Sequence, residues 1–195
     1  MSALQRKGWI RWSVFLLLLL PLILLIQRLL NGDLGADPAK FIVKELGYWS
    51  LCWLWLTLSV TPARIYLGWR WLTSYRRMFG LFAFFYAVLH LLAFATFLLG
   101  WRWDSLITEL TKRPYIIVGS LALLCMLPLA ITSTKGMQRK LGKDWKRLHS
   151  LIYPISILVM LHYTLQIRSD FSQQLIFAVL LVVLLGCRIY RKRRP

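Results

Sequence analysis

Long apolar runs alternate along this chain with short, strongly charged segments. Runs near the ~20 residues that a helix needs to cross ~30 Å of hydrocarbon recur six times, at 12–30, 47–60, 78–100, 115–131, 148–166 and 175–190. The pattern predicts an all-α, polytopic membrane bundle of six transmembrane helices, in a single domain over residues 1–195 with no room for a soluble one. Pro21, Pro128 and Pro154 fall inside runs, where membrane helices tolerate proline. The first run follows Arg6, Lys7 and Arg11 as a signal peptide would. It is too long for a simple signal core and no small-x-small cleavage site follows, so it is read as a retained helix.

The charges orient the runs. Arg6, Lys7 and Arg11 precede the first, and Arg64, Arg70, Arg76 and Arg77 separate the second from the third. Lys135, Arg139, Lys140, Lys143, Lys146 and Arg147 separate the fourth from the fifth, and Arg188, Arg191, Lys192, Arg193 and Arg194 end the chain. The intervening loops hold Asp33, Asp37, Glu45, Asp104, Glu109 and Asp170. A six-span arrangement collects roughly 18 of the 25 basic residues on one side, which the positive-inside rule makes cytoplasmic. Both termini are then cytoplasmic. Trp9, Trp12, Trp49, Trp69, Trp71, Trp101, Trp103 and Trp145 lie near the ends of runs, as an interfacial belt does. No internal repeat or low-complexity linker is apparent.

Composition excludes several alternatives. The chain is 58% hydrophobic and 16% charged, which fits no soluble class. Its net charge of +18 is explained by topology rather than by nucleic acid. Cys52, Cys125 and Cys187 sit singly in apolar segments, and no Cys-x-x-Cys-His attaches a heme covalently. There is no paired-carboxylate motif in a run, no Gly-x-Gly-x-x-Gly after a strand and no phosphate-binding Walker loop. Electrons for any redox role must come from another protein, a bound flavin or a quinol.

The chemistry concentrates in three histidines. His90, His149 and His162 all lie in or at the edge of apolar runs, where an ionisable side chain is costly and usually functional. Neutral imidazole is also a standard ligand of heme iron. His90 lies 13 residues beyond Arg77 and His162 lies 13 beyond His149, about 20 Å along a helix in each case. His90 and His162 are therefore expected at one depth on two helices, as a bis-histidine heme b clamp requires. His149 falls at the basic side with no second histidine at its depth. It could bind a second, inner heme, its alternative being an interfacial histidine in contact with phospholipid headgroups. Two other readings stay open on these residues alone: a quinol-linked cytochrome b anchor of another oxidoreductase, and a non-redox transporter or assembly factor with structural histidines.

Several stretches resemble the MsrQ family. They are LTLSVTPAR at 56–64, RRMFGLFAFFYAVLH at 76–90, KRPYIIVG at 112–119, LPLAITSTKGMQRKLGKDWKRLHSLIY at 127–153 and the run ending at His162. That family is the heme-binding membrane subunit of a periplasmic protein-methionine-sulfoxide reductase system, within the ferric-reductase-like transmembrane superfamily. The resemblance implies a six-helix protein binding heme b through His90, His149 and His162. It implies electrons taken from the quinone pool or a cytoplasmic flavin reductase and passed to a periplasmic molybdenum-cofactor reductase, where the substrate chemistry occurs. It also implies FMN, for which no flavin-phosphate motif is visible. Fuller members of the superfamily carry two histidines about fourteen residues apart on the third span. Here the inner position is Arg76, which puts the ligation of any inner heme in doubt.

The charge alternation predicts the outcome of reporter fusions. A periplasm-active enzyme fused after Pro195 should be silent, and one inserted in the 33–44 loop should be active. Periplasmic activity from the C-terminal fusion would overturn the six-span topology.

Overall fold

A computed structural model describes residues 3–102, 104, 106–166 and 171–192. All regular elements among them are helical. They are α1 (Ala3–Leu30), α2 (Pro38–Tyr66), a 3₁₀ turn (Arg70–Ser74) and α3 (Arg76–Ala93), which runs on into a π-helical turn (Phe94–Leu98). Then follow α4 (Leu106–Lys112), α5 (Pro114–Ile131), α6 (Lys135–Leu141), α7 (Lys143–His149), α8 (Ile152–Leu165) and α9 (Ser172–Lys192). The starts follow local chemistry. The Asp37 carboxylate accepts the Lys40 amide at 3.1 Å ahead of Pro38, and the Thr134 hydroxyl accepts that of Met137 at 3.2 Å.

Five of the six runs each lie on one helix, and the fifth is divided between α7 and α8. Four helical segments are long and apolar enough to cross a bilayer: Gly8–Leu30, Arg76–Leu98, Pro114–Ile131 and Lys143–Leu165. The helix of the second run extends well past 47–60 at both ends, to 29 residues. Lys40, Lys44 and Glu45 lower its hydropathy without opposing helix formation, and Trp, Tyr, Ser and Thr dilute its middle. The last run has a shorter apolar helical stretch, Ser172–Arg188. The fifth run is broken rather than continuous. Pro154 has no N–H to offer the Ser150 carbonyl, which accepts from the Tyr153 amide at 3.1 Å instead. His149 therefore closes α7, while His162 sits on α8. Of the sequence expectations, those on Trp103, Asp170, Arg193 and Arg194 lie outside the described residues.

Two apolar clusters hold the bundle. One joins Leu54, Leu58, Ala83, Met126, Ile155, Met160 and Leu181, from α2, α3, α5, α8 and α9. The other joins Leu18, Leu25, Leu46, Val60, Phe79, Phe82 and Tyr86, from α1, α2 and α3. Large apolar side chains such as Leu16, Leu124, Leu175 and Val182 point outward and are exposed. Apolar surface of this extent belongs against lipid, and the chain is a helical membrane protein.

Tyr86 fixes the position of α1. It is completely buried, and its hydroxyl donates to the Leu18 carbonyl at 3.0 Å while accepting the Leu22 amide at 3.1 Å. Those two groups are four residues apart in α1, on either side of Pro21, and the hydroxyl bonds both. Tyr86→Phe should leave both groups without their partner and destabilise the fold by about 1–3 kcal/mol. Thermal unfolding of the detergent-purified variant measures this. An unchanged midpoint would show that the two groups find partners without the hydroxyl.

Candidate functional site

His90 and His162 meet across the bundle. Their ring centroids are 6.1 Å apart and their planes are inclined at 83°. The His90 Nδ1 lies 2.8 Å from the Val43 carbonyl of α2, and the His162 Nδ1 lies 2.7 Å from the Tyr115 carbonyl of α5. A carbonyl only accepts, so each Nδ1 carries the hydrogen and donates it. Each Nε2 is left with a lone pair, the form in which imidazole binds a metal.

Two glycines make these contacts possible. Gly47 lies one turn after Val43, and a Cβ there would stand 3.0 Å from the His90 Nδ1. Gly119 lies one turn after Tyr115, and a Cβ there would stand 2.6 Å from the His162 Nδ1. A Cβ at Gly119 would force the His162 ring to shift, and one at Gly47 would require the His90 ring to give by a few tenths of an ångström. The two cradles are counterparts at a constant offset of 72 residues: 43 and 115, 47 and 119, 90 and 162. The hairpins α2–α3 and α5–α8 thus repeat one device, although no repeat is apparent in the sequence. Too few positions carry the likeness for it to show.

The pair supplies two neutral nitrogen donors and nothing more. Among the described residues no group of three or more His, Cys, Asp or Glu side chains could hold a bare ion. The site therefore suits a metal whose remaining ligands arrive with it. Imidazole binds first-row metals at about 2 Å, which places two rings facing one ion about 6 Å apart between centres. The observed separation is of that size, and His90 and His162 are the residues that would hold a heme iron. An apolar groove of about 580 Å³ lies alongside, lined by Leu91, Phe94, Leu99, Ile116, Leu121 and others.

His149 is placed differently. The Thr132 hydroxyl donates to the Pro128 carbonyl at 2.6 Å, so it accepts the His149 Nε2 hydrogen at 3.0 Å. The ring stacks on Trp145 with centroids 4.0 Å apart, and the Trp145 indole N–H donates to the Thr132 carbonyl at 3.0 Å. Arg76 is the charged group within electrostatic range. No second imidazole faces His149. The structure brings two of the three histidines together and holds the third at the end of α5.

Sequence reasoning missed Val43, Gly47, Tyr115 and Gly119. Carbonyls carry no sequence signal. The glycines had one: each stands 43 residues before a membrane histidine.

Residues 46–160 match the family described as ferric reductase like transmembrane component. A protein of Rhodospirillum rubrum named protein-methionine-sulfoxide reductase heme-binding subunit MsrQ is 46% identical over 188 residues, covering 94% of this chain and 90% of its own length. Proteins of the same name from Xanthomonas euvesicatoria and Xanthomonas axonopodis are each 46% identical over 162 residues, covering 83% of this chain and 74% of their own. With paired histidines held between two like hairpins and this identity along nearly its whole length, the chain belongs to the MsrQ family of ferric-reductase-like transmembrane proteins.

Proposed function

We propose that this chain is a b-type cytochrome that relays electrons across a bacterial inner membrane to a methionine sulfoxide reductase on the outer side. The observation that carries the reading is the pair His90 and His162, whose rings lie 6.1 Å apart, each with Nδ1 bound to a carbonyl and Nε2 left free of it. The relatives are named heme-binding subunits of such a reductase. The finer assignments rest on the family resemblance. The donor is the quinone pool or a cytoplasmic flavin reductase, the acceptor is a molybdenum-cofactor reductase in the periplasm, and FMN is a second cofactor. Both termini face the cytoplasm, as the loop charges suggest.

Heme b between the two imidazoles would supply reversible one-electron chemistry. The protein's own contribution is positional. The Val43 and Tyr115 carbonyls fix the ring orientations and increase the basicity of each Nε2. Gly47 and Gly119 let the rings approach the helix backbones. The surrounding apolar side chains limit water access, which bears on redox potential. Assigning His149 to a second, inner heme requires its Nε2 to exchange Thr132 for iron.

Optical and EPR spectra of purified single variants test the pair. His90→Ala and His162→Ala should each abolish the six-coordinate low-spin signal and stop electron delivery to the reductase. His149→Ala should perturb reduction from the basic side while retaining the signal of the outer heme. A full wild-type low-spin signal in both His90→Ala and His162→Ala would end the clamp assignment.

The glycines give a graded test. Gly119→Ala forces a closer contact than Gly47→Ala, and overpacking of this kind costs about 1–3 kcal/mol. Heme-to-protein ratio should fall in both variants and further in Gly119→Ala. Equal, wild-type ratios would show that the rings are not held against these backbones.

A further inference from the structure

Three arginines on three helices lie at the basic end of the bundle, and none of them is ion-paired among the described residues. Arg64 lies in the last turn of α2, Arg76 opens α3, and Arg188 lies near the end of α9. Arg76 is within electrostatic range of Arg188, Arg64 and Tyr153. The Arg188 side chain is held firmly. Its Nη2 donates to the Leu58 carbonyl at 2.8 Å, and its guanidinium carbon stands 4.9 Å from the centre of the Tyr153 ring. Its Nε and Nη1 are buried without a hydrogen-bond partner. The Tyr66 hydroxyl donates to the Cys187 carbonyl at 3.4 Å and ties α2 to α9 beside it.

Among the described residues no carboxylate answers this charge. Of the seven acidic residues, Asp144 alone belongs to a basic segment, and it pairs with Arg147 at 3.6 Å. The other ion pairs among the described residues, Lys40–Asp37 and Arg113–Glu109, lie at the start of α2 and the end of α4. Buried N–H groups of a charged side chain are costly when left unpaired, and like charges brought together add to that cost. An anionic guest relieves both. Guanidinium forks match the oxygens of phosphate, which takes several such bonds at once. The cluster also lies at the ends of spans, where headgroups and soluble anions are both present. Arg76 precedes His90 by 14 residues, about 21 Å along a helix. That is farther than the edge groups of a porphyrin extend from its iron, so the guest is distinct from one seated between His90 and His162.

We propose that Arg64, Arg76 and Arg188 form a binding site for a phosphate group, carried either by a phospholipid headgroup or by a soluble phosphate ester. The proposal does not depend on the heme reading.

Native mass spectrometry of the full chain, titrated with phosphatidylglycerol, tests the first source. Thermal unfolding in inorganic phosphate against chloride at equal ionic strength tests the second. The variants are Arg188→Gln and Arg64→Gln, with Arg139→Gln as a basic-end control. If a headgroup fills the site, phosphatidylglycerol retention should fall about tenfold in both site variants, as loss of one charge-assisted hydrogen bond implies, and stay unchanged in the control. If a soluble ester fills it, phosphate should raise the unfolding temperature of the wild type and the control but not of the site variants. Absence of both effects, or equal effects in Arg139→Gln, would overturn the proposal. So would loss of bound heme in Arg64→Gln with phosphate binding intact, because the guest would then be a cofactor carboxylate. Arg64 is exposed, so its variant carries the test should Arg188→Gln fail to fold.

Discussion

Inside a bilayer a polar group must find its partner within the protein, and the hydrogen bonds from His90 to Val43 and from His162 to Tyr115 meet that requirement in the way that matters most here. An imidazole in lipid has two nitrogens to satisfy. Giving the hydrogen of one to a helix carbonyl leaves the other with a single defined role. The carbonyl must be reachable, so the helix surface must be bare, and both cradles have glycine one turn away. Helix spacing, ring orientation and donor chemistry all follow from this one arrangement.

The prolines are accommodated by related means. Tyr86 bonds the Leu18 carbonyl and the Leu22 amide around Pro21. Thr132 gives both its amide, at 3.0 Å, and its hydroxyl to the Pro128 carbonyl, and the same hydroxyl then holds His149. Ser150 accepts a shorter-range bond where Pro154 cannot donate.

Much of the architecture was legible because lipid imposes a coarse rule on composition. Apolar runs located the helices, and counting residues between Arg77 and His90, and between His149 and His162, placed two histidines at one level. What escaped depends on finer terms. The full length of α2 was hidden because its ends are charged, and hydropathy reports suitability for lipid rather than helicity. The break before α8 needed knowledge of where the Ser150 carbonyl would turn. The cradles were hidden because their key atoms are backbone oxygens, and a glycine in an apolar run has many ordinary explanations. The arginine cluster was visible only as charge, since α2, α3 and α9 meet there by packing alone.

The two histidines hang from different hairpins, α2–α3 and α5–α8. Any guest bonded to both is therefore a rivet between the halves of the molecule. By linkage, binding that requires the halves to be docked stabilises the docked form. Assembly and loading then become one event in the life of the chain. A copy that emerges from synthesis without its guest lacks the strut between hairpins, and cellular quality control has a physical means of distinguishing it from a finished one.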